Sequence, residues 1–402
     1  MKLLTFATLY PSAARPGHGI FVETRLRHLL ASGAVQSVVV APVPWFPVPS
    51  EGFGRYGTLA RTPRRETLHG IDVRHPRFPL VPRVGMSTAP FLLAAASARA
   101  LREVREGGHD FEVIDAHYFY PAGVAAALLG RRFGRPVVIT ARGSDINLIA
   151  RHAIPRRLIV WAARRAAAVV TVSHALKGAT ERLGVDPQSI SVLRNGVDAH
   201  AFRPLDRDAE RSRLGVTGRL LLSVGNLVEL KGNDLVIQSL SALSDTILCL
   251  VGEGPDRGRL EALVRGMAVG DRVRFLGQLP QSELPRYYSA ADALVLASSR
   301  EGWPNVLLEA MACGTPVVAA RVGGTPEVVT SRAAGVLFEP RTVAALADAI
   351  RGLLKNPPER AETRRHAEQF SWEETTRGQL GLFERVVGSV GRPGSAPPIS
   401  RG

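Results

Sequence analysis

Two glutamates and one lysine are the residues of this sequence best suited to chemistry. Glu301 and Glu309 are separated by seven residues, with Glu301 in a predicted loop and Glu309 on the helix that follows. Glu309 could accept hydrogen bonds from a vicinal diol such as a ribose, and Glu301 could reach a sugar hydroxyl. Lys231 is the sole lysine between Lys177 and Lys355, and its ammonium could offset negative charge that develops on a leaving phosphate. Ordinary capping or surface positions are the alternative for all three.

The segment between the two glutamates predicts a helix start that suits an anion. Pro304 has a preset φ angle that fits the first turn of a helix. The backbone N–H groups around Asn305, Val306 and Leu307 would then lack intrahelical partners, and such groups bind phosphates. We therefore expect a diphosphate to bind at this turn.

The same stretch resembles the signature of a known family. Residues 301–310 read Glu-Gly-Trp-Pro-Asn-Val-Leu-Leu-Glu-Ala, which resembles the signature of the family-four retaining glycosyltransferases with the GT-B fold. The resemblance covers nearly the whole chain, residues 1–388. It implies two Rossmann-like domains, a nucleotide-sugar donor, and transfer of the sugar with retention at its anomeric carbon.

Three glycine-containing turns resemble further elements of that family. They are Ser223–Asn226 with the following Lys231, Val251–Pro255, and Leu193–Asp198. The first resembles the donor-phosphate element, which assigns Lys231 to the diphosphate and puts Asn226 where the family usually has an arginine. The second resembles the nucleotide turn and assigns Gly252 and Gly254 to donor binding, and the third resembles the interdomain turn. The missing arginine leaves one cation fewer at the diphosphate, which another arginine such as Arg321 could replace.

The first half of the chain offers four candidates next to predicted strands. Gly19 follows the first strand, and a glycine there lets the backbone approach a phosphate closely. His117 ends the strand Val113–His117, where the resemblance implies a histidine beside the donor sugar. Arg142 and Asp145 follow the next strand and match a family turn that meets the acceptor or the sugar. An ordinary loop for Gly19, a structural role for His117 and a helix N-cap for Asp145 stay open as alternatives.

Short apolar, β-branched runs alternate with helical patterns, and these elements must position the candidates. The predicted strands are Lys2–Thr8, Ser37–Val43, Val113–His117, Val137–Ala141, Ala168–Ser173, Ile190–Leu193, Leu220–Val224, Ile247–Val251, Val273–Leu276, Ala293–Ala297 and Pro316–Ala320. Continuous apolar strands separated by helices predict two parallel sheets covered on both faces. Doubly wound sheets bind ligands at the carboxyl ends of their strands. We therefore expect an α/β protein with two doubly wound domains, for which the resemblance implies the GT-B fold, with two Rossmann-like domains that face each other across a cleft.

The domain boundaries are expected around the charged stretch Arg203–Arg213. We predict an N-terminal acceptor-binding domain over residues 1–202 and a C-terminal nucleotide-sugar-binding domain over residues 203–370. The helical pattern Ser371–Val387 predicts a C-terminal helix within residues 371–390 that packs back on the N-terminal domain. Residues 391–402 are rich in Pro, Gly and Ser, and are expected to be disordered.

Positive charge is concentrated in the first half of the chain. Of the net charge of +15, residues 1–200 contribute +13, with 26 Lys and Arg against 13 Asp and Glu. Genomic base composition would explain the high ratio of arginine to lysine, but it does not explain why acidic residues are few in the first half. The segment Arg151–Arg165 gathers arginines around Trp161, which suits an anionic membrane surface. A surface helix packed on its own domain is the alternative.

The composition and the start of the chain argue against several classes of protein. An apolar share of 45% supports two cored domains, whereas the longest weakly charged apolar runs fall short of the roughly 20 residues that span a membrane. Cys249 and Cys313 lie in apolar runs, which excludes a disulfide scaffold and suits a reducing compartment. Because no cleavage site follows the first strand, we expect no signal peptide and a cytoplasmic location, with a peripheral position at the inner membrane face left open.

Metal and nucleic-acid sites are not expected. Asp206-Arg207-Asp208 spells a metal-binding triplet of the other large glycosyltransferase fold, but it lies in the charged interdomain stretch, away from a strand end or apolar pocket. The histidines show no metal-ligand spacing, so we expect neither a metal nor a cofactor. The basic residues do not interleave with aromatic residues in a nucleic-acid-binding module.

These features together predict a retaining, metal-independent glycosyltransferase that uses a UDP- or GDP-sugar. His117, Lys231 and Glu301 are the expected catalytic residues. The resemblance implies a front-face mechanism, in which the leaving diphosphate helps remove the acceptor proton. We expect a lipid-linked saccharide or glycolipid acceptor in polysaccharide or cell-envelope biosynthesis. A soluble acceptor, such as a sugar phosphate or an inositol, and a non-catalytic nucleotide-sugar sensor are the alternatives.

Overall fold

Each half of the chain folds around its own parallel sheet, because its strands are apolar on both faces. The computed structural model describes residues 1–80, 85–267 and 269–390, so the tail that was expected to be disordered lies outside the described residues. Contacts divide the chain into two units. Unit 1 comprises residues 1–172, 176–193 and the chain from Glu373, and unit 2 comprises residues 173–175 and 194–372. Most of unit 2 thus begins at residue 194, before the predicted boundary at residue 203. The segment before residue 203 is bonded to the end of the same unit, where the Val197 N–H donates to the Phe370 carbonyl at 2.9 Å.

The main sheet of unit 1 has eight strands in the order β10-β9-β8-β7-β1-β2-β5-β4. The strands of this unit are β1 (Lys2–Ala7), β2 (Gln36–Val40), β3 (Val43–Pro44), β4 (Arg65–Leu68), β5 (Ile71–Arg74), β6 (Arg77–Phe78), β7 (Val113–His117), β8 (Val137–Ala141), β9 (Ala168–Thr171) and β10 (Ile190–Val192). Only the β4–β5 pair of this sheet is antiparallel among the described residues. The strand order reverses between β1 and β7, where Ala7 pairs with His117, and such a switch point is where doubly wound sheets bind ligands.

The helices of unit 1 cover this sheet. They are α1 (Ile20–Ala31), α2 (Arg55–Arg61), α3 (Gly85–Glu106), α4 (Val124–Phe133), α5 (Ser144–Asn147), α6 (Ala153–Ala163) and α7 (His174–Glu181). Helix α1 turns Val22, Leu26 and Leu29 into a core that also holds Leu3 and Val39. Each such buried aliphatic side chain stabilises the fold by about 1.5–3 kcal/mol.

The sheet of unit 2 has six strands in the order β13-β12-β11-β14-β15-β16, all parallel. They are β11 (Arg219–Val224), β12 (Thr246–Val251), β13 (Val273–Gly277), β14 (Ala293–Leu296), β15 (Val317–Ala320) and β16 (Gly335–Phe338). The order reverses between β11 and β14. The carboxyl ends of these two strands, at Val224 and Leu296, therefore mark the switch point of this sheet.

Eight helices surround the second sheet among the described residues. They are α8 (Arg207–Arg213), α9 (Asn233–Ser239), α10 (Arg257–Gly266), α11 (Leu284–Ala290), α12 (Asn305–Ala312), α13 (Thr325–Val328), α14 (Val343–Lys355) and α15 (Arg360–Glu368). Helix α14 contributes Leu346, Ile350 and Leu353 to the core.

The last helix, α16 (Trp372–Val390), contributes to the core of unit 1. Its side chains Leu382, Phe383 and Val386 are buried with residues of β1 and α1. The chain therefore returns to its first unit after completing the second.

The two doubly wound parallel sheets confirm the predicted fold class. The eleven predicted strands all form, with small shifts at their ends and with Ser37–Val43 divided between β2 and β3. Four strands, β4, β5, β6 and β16, were not predicted from the sequence. Residues 203–213 were described only as a charged stretch between the domains, whereas α8 forms there because the Asp206 carboxylate caps its first N–H groups, those of Asp208 and Ala209.

Among the described residues, no helix combines the length and the apolar character needed to cross a membrane.

Candidate active site

An ion pair lies beside the switch point of unit 2. The Lys231 Nζ is 2.7 Å from the Glu301 Oε1, and 23% of the lysine side chain and 11% of the glutamate side chain remain exposed. Lys231 ends a short 3₁₀ turn that follows β11, and Glu301 stands in the loop after β14. The structure thus brings together two residues that the sequence had assigned separately. A lysine with one partner and solvent access keeps two donors for an anion.

Glycines let the backbone pack tightly next to this pair. Gly252 has a φ of +136°, and a Cβ there would lie 2.0 Å from the Gly225 carbonyl oxygen. A Cβ on Gly254 would lie 2.2 Å from the Leu227 carbonyl oxygen. Only glycine fits the first of these positions without a shift of the backbone. The predicted donor turn therefore packs against the loop that carries Asn226.

Asn226 itself is exposed, and its side chain brings no positive charge to this loop. Arg321, the suggested substitute for the family arginine, follows β15 and pairs with Glu339 at 3.1 Å. Both side chains of that pair are largely exposed, so the pair is held weakly.

The start of helix α12 differs from the prediction. The Asn305 N–H donates to the Trp303 carbonyl at 3.2 Å, and the Leu307 N–H donates to the Pro304 carbonyl at 3.0 Å. Pro304 is the N-cap rather than a residue of the first turn. Two of the three N–H groups that were expected to be free are thus already bonded, because a tight turn forms at this helix start. The expectation of free N–H groups was therefore wrong for Asn305 and Leu307, and for Val306 it stays a prediction.

Glu309 lies one turn into α12, where its side chain is partly buried. The Tyr288 hydroxyl donates a hydrogen bond to its Oε2 at 2.9 Å. Burial raises the pKa of Glu309 to about 7, although the hydrogen bond from Tyr288 lowers it in part. The raised pKa brings the ionisation of this carboxyl group towards the neutral range. No sequence pattern had indicated Tyr288, which lies on α11.

In unit 1, His117 lies at the switch point and is almost wholly buried. Its Nε2 is 3.1 Å from the Asp115 Oδ2, and Arg142 donates to its Nδ1 at 2.7 Å. Since the arginine can only donate, the Nε2 carries the ring proton and donates it to the aspartate. Burial lowers the pKa of His117, so the ring stays neutral.

The charges around this histidine balance one another. Burial opposes the ionisation of Asp115, but His117, Arg25 and Arg142 outweigh it and hold the pKa of Asp115 below its ordinary value. Burial lowers the pKa of Arg142 to about 9, which still leaves it charged at neutral pH. Arg142 also lies over the ring of Phe21, at 5.3 Å from the centroid. His117 and Arg142, predicted separately, thus form one buried cluster.

Asp145 lies inside its turn. Its carboxylate accepts hydrogen bonds from the N–H groups of Phe119, Arg142 and Gly143 at 2.7, 3.2 and 2.8 Å, and the side chain has no exposed surface. Such a carboxylate fixes the turn after β8 and holds Arg142 in place. Asp145 thus has a structural role, although not the N-cap role that was the alternative, since Gly143 is the N-cap of α5; its contact with an acceptor stays a prediction.

Gly19 precedes α1 as its N-cap, with a φ of +73°. A Cβ on Gly19 would lie 2.3 Å from the backbone carbon of Leu9, so a side chain here would force the β1–α1 loop apart. The loop therefore needs glycine, whether or not a phosphate binds to it.

Three residues of the buried cluster, Asp115, Arg25 and Gln379, were not predicted from the sequence. Arg25 on α1 and Gln379 on α16 both lie behind Asp115, at 2% and 3% exposure. The Gln379 Nε2 donates to the Asp115 Oδ2 at 3.1 Å. An arginine at a buried position of an amphipathic helix was the available signal for Arg25, whereas Gln379 lies in a segment with no motif.

Two sequence-family models match this chain. The model of the Glycosyl transferases group 1 matches residues 206–370, and the model of Glycosyltransferase Family 4 matches residues 17–201. The two matched regions hold the unit 2 pair and the buried cluster around His117, respectively.

Curated relatives extend the similarity along most of the chain. A D-inositol 3-phosphate glycosyltransferase of Frankia alni is 34% identical over 354 residues, which are 80% of this chain and 86% of that protein. A protein of Bacillus subtilis named as a teichuronic acid biosynthesis glycosyltransferase, TuaC, is 31% identical over 87% of this chain and 88% of its own.

Solved structures share the fold. The sucrose-phosphate synthase of Thermosynechococcus elongatus superimposes with a TM-score of 0.81, at 22% identity, over 96% of this chain and 99% of its own. HepE of Anabaena, in complex with UDP and glucose, gives a TM-score of 0.75 at 22% identity, over 96% of this chain and 100% of its own. These likenesses confirm the predicted fold.

Proposed function

This chain belongs to the family of group 1, or family 4, glycosyltransferases, and we propose that it transfers a glycosyl group from a nucleotide sugar with retention at the anomeric carbon. The observation that carries the proposal is the Lys231–Glu301 pair beside the unit 2 switch point. A part-exposed ammonium at the carboxyl edge of a doubly wound sheet is placed to bind the diphosphate of a donor.

The ion pair gives each partner a role in the transfer. As the bond between the anomeric carbon and the diphosphate breaks, negative charge grows on the leaving oxygen, and Lys231 stabilises it. When the diphosphate takes over Lys231, the carboxylate of Glu301 becomes free to accept a hydrogen bond from a hydroxyl of the sugar. Before binding, Glu301 keeps the lysine at the site.

Retention follows from a front-face mechanism. The acceptor oxygen attacks the anomeric carbon from the same face from which the diphosphate departs. The leaving phosphate oxygen takes the acceptor proton. Neither step needs a second catalytic carboxylate. We keep His117 and Arg142 as the unit 1 candidates for contact with sugar or acceptor.

The nucleotide is proposed to bind through Glu309, Gly252 and Gly254. Glu309 would accept hydrogen bonds from the ribose hydroxyls, while the glycines let the nucleotide approach the backbone. HepE, which shares the fold, was solved with UDP and with UDP-glucose, and this supports UDP as the first donor nucleotide to try. GDP remains the second.

No metal or cofactor is proposed, since the charge of Lys231 would offset that of the diphosphate. Transfer should continue after treatment with EDTA. A strict requirement for manganese would contradict this part of the proposal.

Two acceptor classes each have a supporting observation. The inositol phosphate glycosyltransferases among the relatives support a soluble phosphorylated polyol. The basic, partly apolar surface of unit 1 supports the lipid-linked acceptor at a membrane face, as does the relative named for teichuronic acid biosynthesis.

The test is a transfer assay on the full chain. UDP- and GDP-sugars are offered with inositol 3-phosphate in one arm and with lipid-linked saccharides in the other, and release of the nucleoside diphosphate is measured. NMR of the product should show the anomeric configuration of the donor, and inversion would overturn the mechanism. Binding of nucleotide sugars without transfer or slow hydrolysis would instead favour the non-catalytic sensor.

A further inference from the structure

A groove on unit 1 is lined by arginines that the proposed reaction does not use. It has a volume of about 580 Å³ and is formed by the turn before α6, by α6 and by the residues after it. Its lining includes five arginines and one tryptophan: Arg151, Arg156, Arg157, Arg164, Arg165 and Trp161. All five arginines are exposed.

The positive charge of this groove has no protein counter-charge. Within the described part of the chain, none of the five arginines forms an ion pair with a carboxylate. The guanidinium of Arg165 lies over the ring of Trp161, at 4.5 Å from the centroid. Five neighbouring cations repel one another, and phosphate groups are the anions that guanidinium forks bind best.

Exposed apolar side chains lie on or next to the elements that form the groove, and we call them its apolar flank. Leu148 before α6 and Ile154 on α6 are 42% and 50% exposed, and Met86 and Phe91 on α3, which contacts α6, are each 49% exposed. The large exposed hydrophobic side chains of the described residues all fall between residues 45 and 154, in unit 1. A soluble phosphorylated ligand would leave these side chains in water, whereas a bilayer would cover them.

We infer that the arginine groove and its apolar flank dock unit 1 onto an anionic phospholipid bilayer. Lipid phosphates occupy the groove, and Ile154 and its apolar neighbours enter the interface between headgroups and acyl chains. The docking does not depend on the proposed reaction, since nucleotide binding is assigned to unit 2.

Vesicle sedimentation tests this inference. The full chain should sediment with vesicles of phosphatidylcholine mixed with phosphatidylglycerol, but not with phosphatidylcholine alone. Salt at 1 M should release it, because the screening length shortens to about 3 Å. Changing Arg156, Arg157, Arg164 and Arg165 together to Gln should weaken binding at least about tenfold.

A matched variant separates the groove from net charge. Changing four other exposed arginines of unit 1 to Gln, namely Arg102, Arg131, Arg132 and Arg182, removes the same charge and should leave most of the binding. Ile154→Ser should weaken binding with the charge unchanged. Equal loss in both arginine variants would overturn the inference, as would wild-type protein that binds inorganic phosphate through the groove and ignores both vesicles. The thermal shift caused by UDP should be the same in all variants, which keeps this test apart from that of the reaction.

A second, independent observation concerns Gln379 on α16. Its Oε1 accepts from the Arg25 Nε at 2.8 Å, and its Nε2 donates to the Asp115 Oδ2 at 3.1 Å. Arg25 also donates to the Leu193 carbonyl at 3.1 Å, so the arginine is held from two sides. The amide therefore has one orientation that satisfies both neighbours.

This contact reaches His117 through Asp115. The same oxygen, Oδ2, receives the Nε2–H of His117 at 3.1 Å, and so Gln379 and His117 share one acceptor. We propose that Gln379 is a positioning residue. It fixes the Asp115 carboxylate, so that Oδ2 is held where it accepts the Nε2–H of His117, while Arg142 donates to Nδ1.

NMR of the imidazole nitrogens tests this role. The Nε2–H proton of wild-type His117 should resonate far downfield, as a hydrogen bond to a carboxylate requires, and Gln379→Leu should move it upfield because the Asp115 carboxylate is no longer held in place. Gln369→Leu, at an exposed position, is the matched control and should change nothing. An unchanged Nε2–H shift in folded Gln379→Leu would overturn the proposal.

A second variant covers the case in which Gln379→Leu does not fold. Gln379→Glu keeps the acceptor for Arg25 but sets a carboxylate against Asp115. His117, which faces Asp115 and Arg142 with Arg25 behind them, should then gain a proton at a higher pH than in the wild type. An unchanged titration of His117 would contradict the proposal.

Discussion

The two switch points hold charged residues in opposite ways. In unit 1, Asp115, His117 and Arg142 are buried and bonded to one another, with Arg25 and Gln379 behind them. In unit 2, Lys231 and Glu301 form a single part-exposed pair among glycine-containing turns. In a buried network, every charged group already has hydrogen-bond partners, so a substitution there destabilises the fold. In a part-exposed ion pair, either residue can exchange its single partner for a ligand. We therefore expect mutations in unit 1 to act first on stability and those in unit 2 first on activity.

Asp115→Asn should have the largest effect, and it should be on folding. The change leaves the buried charges of Arg25 and Arg142 without their shared partner, and breaking such a pair costs about 3–5 kcal/mol of unfolding free energy. Urea denaturation measures it. Asp110→Asn, which breaks exposed pairs with Arg105 and Arg135 in the same unit, is the control and should change little. A stable Asp115→Asn protein would show that unit 1 is not held by this cluster.

Lys231→Ala should act on turnover and barely on stability. Loss of one charge-stabilising donor at a leaving group lowers kcat by about 100-fold, or ~2.7 kcal/mol. The exposed Lys355→Ala is the matched control and should behave as wild type. Turnover within about twofold of wild type would remove Lys231 from the mechanism.

Binding of the donor should depend on pH through Glu309. A carboxyl group with a pKa raised to about 7 is charged above that pH and neutral below it, and hydroxyl donors bind the charged form better. Affinity for a nucleotide sugar, whose diphosphate does not titrate in this range, should therefore fall about tenfold from pH 8 to pH 6. Glu309→Gln should bind more weakly at pH 8 and show a flat profile. A wild-type profile as flat as that of the variant would contradict the ribose contact.

Asn226→Arg should produce the smallest effect, a gain. An added cation on the exposed loop after β11 would supply the charge that the resemblance implies there, worth about 1 kcal/mol or fivefold in kcat. Asn226→Gln, which lengthens the side chain without charge, serves as the control. If the arginine slows transfer, the charge is already supplied from elsewhere, and Arg321→Gln would then show whether Arg321 supplies it.

Local features of this molecule were readable in the sequence, and distant pairings were not. Continuous apolar runs predicted the strands, because both faces of a parallel sheet are buried. Strand ends then located His117 and Arg142 at one edge. Their contact with each other depends on side-chain directions across neighbouring strands, which periodicity does not encode.

The same limit applies to both candidate sites. Lys231 and Glu301 are 70 positions apart, and Gln379 and Asp115 are 264 apart, so nothing local in the sequence joins them. At the helix start at Asn305, by contrast, a local sequence pattern led to a wrong prediction. A general rule predicted free N–H groups there, but the tight turn after Pro304 uses two of them.

Calorimetric titration with UDP and GDP tests the central claim, that the unit 2 pair exchanges its internal bond for the diphosphate of the donor. Lys231→Ala should bind the preferred nucleotide at least about tenfold more weakly than wild type, since a charge-assisted hydrogen bond is worth about 1.5–3 kcal/mol. Glu301→Gln should bind it as tightly as wild type or more tightly, because the lysine no longer has a competing partner. Equal affinity in wild type and Lys231→Ala, or a loss in Glu301→Gln as large as that in Lys231→Ala, would contradict the account.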